Sequence, residues 1–176
     1  MRNLETQLFI CNAAPMPELL QPINNGDGKR SIFVKPLGGM WTSTWLEEIQ
    51  GSDWVEWCRS ETFGDPNVLR WHLLTPSPDA RIAVIDSVSD LLALLHQYPR
   101  EMHPLLSSFA GRYLDYERMT VDFDAIHLTA RGQRHTHLSI QADLYGWDCE
   151  CTLWFRWCFI EVKQIVPVIP KSEAVK

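Results

Sequence analysis

Asp148-Cys149-Glu150-Cys151-Thr152-Leu153-Trp154-Phe155 is the stretch on which the reading of this chain turns. Its alternation and its aromatic content predict a strand, drawn here over residues 148–157. Side chains on a strand alternate between faces. Cys149, Cys151, Leu153 and Phe155 then share an apolar face that fits a core. Asp148, Glu150, Thr152 and Trp154 share the other. Two acids, a hydroxyl and an indole compose either a cleft wall or the solvated outer face of an edge strand. Trp147, Trp154 and Trp157 favour the cleft, because a merely solvated face has no use for them. Carboxylates at i and i+2 lie roughly 7 Å apart on a strand. In a poorly solvated site they repel, and one pKa rises.

Working outward, the second half of the chain is β-rich. Residues 123–129, 135–142 and 160–168 are predicted strands around the 148–157 one, with Gly132 and Gly146 at turns. The first half mixes types. Residues 7–12, 31–34, 68–74 and 81–85 read as strands. Residues 15–29 read as a loop, with three prolines and the turn Asn24-Asn25-Gly26-Asp27-Gly28. Thr44 with Glu47 fits a capping box and predicts a helix start there, leaving Thr42 and Ser43 at a strand-to-helix junction. Asp53 to Cys58 reads as a second short helix. Helices are also predicted over 86–98, with a Ser89 cap, and over 104–118. The order predicts an α+β fold: a split mixed or antiparallel sheet with a few packed helices, in one domain over 1–170, followed by a solvated tail at 171–176.

Composition bounds the function. The 176 residues are 45% hydrophobic and 22% charged, ordinary for a globular domain. No apolar run approaches the roughly 18 residues of a spanning helix. The first residues lack the apolar core of a signal peptide, so the expected compartment is the cytoplasm. Five cysteines, an odd number, are then expected as free thiols. The net charge of −6 argues against a stable nucleic-acid complex.

Two motifs together resemble the ADP-ribosyltransferase superfamily. Asp148-Cys149-Glu150 on a late strand resembles the family's third motif. Gly39-Met40-Trp41-Thr42-Ser43-Thr44 resembles its second, an apolar residue followed by hydroxyls, and the order of the two also fits. The resemblance implies a split α+β sheet with NAD, as substrate, in the cleft. It implies that Glu150 is catalytic, holding the nicotinamide ribose and favouring the oxocarbenium-like transition state. Ser43 would orient that glutamate or the ribose, with Trp41 and Thr42 beside it, and Asp148 would contact the acceptor. The family's first motif, an early strand bearing Arg or His, has no match. The strand 7–12 offers only Asn12, which leaves the NAD contact to Asn12, Lys35 or Arg30. Small members of this kind are often toxins or phage-defence effectors that modify a protein or a nucleic acid. Membership would add a macromolecular acceptor and a protein antitoxin as partners.

Two other readings compete. A non-enzymatic interaction module, such as an antitoxin, an immunity protein or a phage accessory protein, suits the acidic balance and the aromatics. A zinc site could be built from His135-x-His137 and Cys149-x-Cys151, but zinc pairs usually have two or more intervening residues. Core cysteines with exposed histidines suit the pattern better, and no metal is expected. Trp41, Trp45, Trp54 and Trp57 are either an aromatic wall for a ring or the packing surface between a helix and the sheet.

Overall fold

The structure is a computed structural model, and it describes residues 4–25, 35–100, 113–137, 144 and 146–167. Seven strands form one mixed sheet: β1 (Gln7–Cys11), β2 (Met40–Thr44), β3 (Arg70–Pro76), β4 (Ile82–Ile85), β5 (Ala125–Leu128), β6 (Cys151–Trp154) and β7 (Phe159–Ile165). Their order is β4-β5-β6-β2-β1-β3-β7. Every neighbouring pair is antiparallel except β4 with β5. The α+β expectation holds, with four helices among the described residues: α1 (Asp53–Ser60), α2 (Val88–Gln97), α3 (Tyr116–Asp122) and α4 (Ala130–Thr136).

Each helix starts on a side-chain cap. Ser52, Ser87, Asp115 and Thr129 accept the N–H groups of Val55, Asp90, Arg118 and Gly132. At α2 the Asp90 carboxylate returns the favour, accepting from the Ser87 hydroxyl at 2.8 Å. The cap is therefore Ser87 and not Ser89. The helix expected from Thr44 does not form. Thr44 ends β2, the chain turns through Leu46 to Gly51, and α1 begins only after Ser52. Thr42 and Ser43 therefore lie inside a strand, where alternation sends them to opposite faces. His135 belongs to α4, so the His-x-His strand of the zinc reading does not form. The segments 31–34, 104–112 and 138–142 lie outside the described residues. Of the helix predicted to end at 118, the described part starts at Tyr116 and continues to Asp122.

One face of the sheet is packed twice. Leu91 and Leu95 of α2 and Met119 of α3 cluster with Ile85, Ile126, Leu128 and Leu153 of the sheet. Val55 of α1 clusters with Leu8 and Trp71. The other face centres on Met40, Leu74, Ala125 and Trp154. β6 is therefore a central strand buried on both faces. The edge-strand alternative fails, and so does the picture of Thr152 and Trp154 as cleft wall. Both are fully buried, because β2 and β5 flank the strand and apolar side chains cover it.

Candidate functional site

β6 begins at Cys151, three residues later than expected, and this short start creates the site. Had β6 run on, its backbone would have continued beside Thr44 of β2. Instead the chain bends at Cys149 and Glu150, and the Glu150 side chain takes over that role. The Thr44 N–H donates to Glu150 Oε2 at 2.9 Å. The Thr44 hydroxyl donates to Oε1 at 2.9 Å, and the Ser43 hydroxyl donates to Oε2 at 2.6 Å. Hydroxyls from both faces of β2 thus converge on one carboxylate, possible only because it sits in line with the strand end. Asp148 and Glu150 are not one strand face. Glu150 is 6% exposed, and Asp148 is exposed.

A chain of buried and half-buried hydrogen bonds leads to the same carboxylate. Trp154 Nε1–H donates to Thr42 Oγ1 at 2.9 Å, and the Thr42 hydroxyl donates to Gln7 Oε1 at 2.8 Å. The Gln7 amide donates to Thr44 Oγ1 at 3.3 Å, and Thr44 donates to Glu150. Every donor points toward the anion, so the bonds polarise one another in its favour. Burial nevertheless dominates and raises the Glu150 pKa above its ordinary value, opposed by the Ser43 and Thr44 bonds.

His127 completes the cluster. Its Nδ1 lies 2.8 Å from Thr152 Oγ1 and 3.5 Å from Glu150 Oε1. Burial pushes its pKa down to about 4, so near neutral pH it is an uncharged imidazole and the Glu150 contact is not an ion pair. The unfolded chain protonates His127 near 6.5, whereas the folded protein resists until about 4. Its contribution to stability is complete above the unfolded value and is lost as pH falls to the folded one, about 3 kcal/mol in all. His127→Gln keeps a partner for Thr152 and removes the titration. Urea midpoints of the variant are expected to fall less than those of the wild type between pH 6.5 and 4. Parallel curves would refute the assignment.

In front of Ser43 opens a cavity of about 860 Å³. Trp41, Trp54, Trp57 and Phe63 give it aromatic walls, and Lys35, Thr42, Ser43, Asp148 and Cys149 give it polar ones. Glu150 is not among the lining residues; its carboxylate lies behind the Ser43 hydroxyl. Lys35 holds its ammonium 4.9 Å from the centre of the Trp41 ring. Trp41 in turn meets Trp147 edge-on at 4.8 Å, which fixes its plane. Cys149 is a poor nucleophile here: burial, then the Glu150 charge, push its thiol up to about 12. Gly38 and Gly39 make a tight turn, and Gly39 also lines the cavity. Both have positive φ, and a Cβ at Gly38 would lie 2.0 Å from the Pro22 carbonyl oxygen, one at Gly39 2.7 Å from that of Trp154.

The structure therefore brings Trp41, Thr42, Ser43, Lys35 and Asp148 to one cavity, with Glu150 bonded behind it. Asn12 is exposed and outside the lining, although its neighbours Cys11 and Ala13 belong to it. Arg30 lies outside the described residues. Trp45 turns away and donates to Glu47 at 2.6 Å. Gln7 and His127 were missed. Each is a lone polar residue in an otherwise apolar strand, and that is the signal that marks a buried polar partner. Among the described residues no group of three or more His, Cys, Asp and Glu side chains is placed to hold a metal, and no helix is long and apolar enough to cross a membrane. No family model matches the chain, and neither a curated protein nor a solved structure matches it.

Proposed function

We propose that the protein is an NAD-dependent mono-ADP-ribosyltransferase acting on a macromolecular acceptor, with Glu150 and Ser43 at the centre of its site. The observation that carries this reading is the 2.6 Å bond from Ser43 to Glu150 at the back of an aromatic cavity. The two motifs lie 107 residues apart in sequence, and the reading requires them to meet.

The chemistry asked of the site is modest. The bond from the ribose C1′ to the nicotinamide nitrogen breaks, and its electron pair leaves with neutral nicotinamide. Positive charge develops on the ribosyl ring, and a nucleophile of the acceptor closes on C1′, its proton passing to a carboxylate or to water. A fixed anion helps most when that charge appears. Glu150 supplies the anion and acts through Ser43, which lines the cavity and donates its hydroxyl to that carboxylate. The tryptophan walls suit a flat cationic ring such as bound nicotinamide. Among the described lining residues Lys35 is the cation available to a diphosphate, and the acceptor contact is assigned to Asp148, exposed at the same cavity. The cavity volume lies within the roughly 300–1,000 Å³ of small-molecule sites.

The test is incubation of purified protein with biotinylated NAD and cell extract, with nicotinamide release followed in parallel. A labelled protein or nucleic acid, or release above the no-enzyme rate, is the expected outcome. Neither label nor release across varied extracts would sink the reading. In that case an interaction module, the antitoxin-like or immunity-like alternative, takes its place.

A further inference from the structure

β7 ends the sheet, and among the described residues it pairs with β3 alone. That pairing is continuous from Trp71↔Ile165 to Thr75↔Glu161, with a bulge only beyond Thr75. The outer edge over residues 161–165, unpaired among the described residues, is therefore free of bulges. Residues 160–164 are all exposed, Ile160 at 68% and Val162 at 41%, and Val166 just past the strand is 87% exposed. A flat edge bearing exposed aliphatic side chains is a template for another strand.

We propose that β7 pairs antiparallel with β7 of a second copy, about a two-fold axis at Val162, to make one sheet continuous through two chains. Charge selects this register. A two-fold axis normal to the sheet keeps each face continuous, so a residue can oppose only residues of its own face. Glu161, Lys163 and Ile165 share the face of Leu73, and Val162 and Gln164 share that of Leu74. With Val162 on the axis, Glu161 opposes the partner subunit's Lys163, and Lys163 opposes the partner subunit's Glu161. The register one step to either side puts Glu161 against the partner subunit's Glu161, or Lys163 against the partner subunit's Lys163. Like charges directly opposed are destabilising. A lone lysine on an edge guards it against pairing. Here Glu161, two residues away on the same face, turns the guard into a self-complementary pair. The proposal rests on this edge alone and stands whichever way the NAD experiment falls.

Sedimentation equilibrium of the purified chain tests it. The wild type is expected to dimerise, and Glu161→Lys or Lys163→Glu to weaken the dimer about tenfold or more. The double variant Glu161→Lys with Lys163→Glu is expected to recover it. Both side chains are exposed, so each variant keeps the wild-type circular dichroism spectrum. A wild type that stays monomeric up to its solubility limit overturns the proposal. So does a dimer indifferent to either single substitution, or a double variant no tighter than the singles.

Discussion

Glu150→Gln is expected to lower NAD cleavage by about 10³-fold or more while leaving the chain folded. The amide is isosteric and keeps one oxygen to accept from Ser43 and Thr44, and the hydroxyls can rotate to accept from its N–H groups. The negative charge is gone, and charge is what the ribosyl cation of the proposed reaction requires. Stability at neutral pH is expected to change by no more than about 1 kcal/mol. Burial already raises the Glu150 pKa, so the folded state holds the charge at a cost. The sign follows from linkage. The contribution of Glu150 to wild-type stability is greatest below the ordinary carboxylate range and falls as pH rises through its folded-state pKa; the variant lacks that fall. Glu150→Ala is the contrasting control. It strands the Thr44 N–H and both hydroxyls without their acceptor, and each such loss costs about 1–3 kcal/mol. Nicotinamide release and urea unfolding of both variants measure the two effects separately. Full turnover by a folded Glu150→Gln would remove Glu150 from the chemistry.

Trp154→Ala is expected to destabilise the fold by about 3–5 kcal/mol. The ring is fully buried in the interior strand β6, opposite Met40 on one side and Ala125 on the other. It packs on Phe159 with centroids 4.5 Å apart. Its N–H starts the hydrogen-bond chain that runs through Thr42, Gln7 and Thr44 to Glu150. The alanine variant therefore opens a cavity and removes the first donor of the chain together. Trp154→Phe keeps most of the packing and loses only the N–H, so its expected cost is smaller, about 1–3 kcal/mol. A lowered urea midpoint at unchanged slope is the expected record for both. A Trp154→Ala midpoint within error of the wild type would refute the central placement of β6.

The sequence was most informative where local chemistry decides the outcome. The α+β order, the strands at 7–12, 68–74 and 81–85, and the apolar role of Cys151, Leu153 and Phe155 follow from period and composition. The meeting of Ser43 with Glu150 was expected from the two motifs, and their side chains are hydrogen-bonded. Where a local signal could be satisfied in more than one way, the sequence misled. Thr44 and Glu47 match a capping box, but the Thr44 N–H and hydroxyl are drawn to Glu150 instead. Strand alternation put Glu150, Thr152 and Trp154 on a cleft wall. It counts faces but does not see that neighbouring strands and a second packed layer cover both of them.

By itself, then, the sequence determined an α+β order with an early cluster of hydroxyls and a late acid pair; that the hydroxyls lie on a strand, and that the acids precede β6 rather than share one of its faces, came from the structure. Only the tertiary structure decided that β6 is central, that it starts late, and that its missing turn of pairing is filled by the Glu150 carboxylate. It alone supplied Gln7 and His127, whose strands lie far from Glu150 along the chain. The physical reason is that a buried charge is defined by everything that desolvates it and everything that donates to it. Those groups are assembled by strand order, and strand order is not written in any single segment.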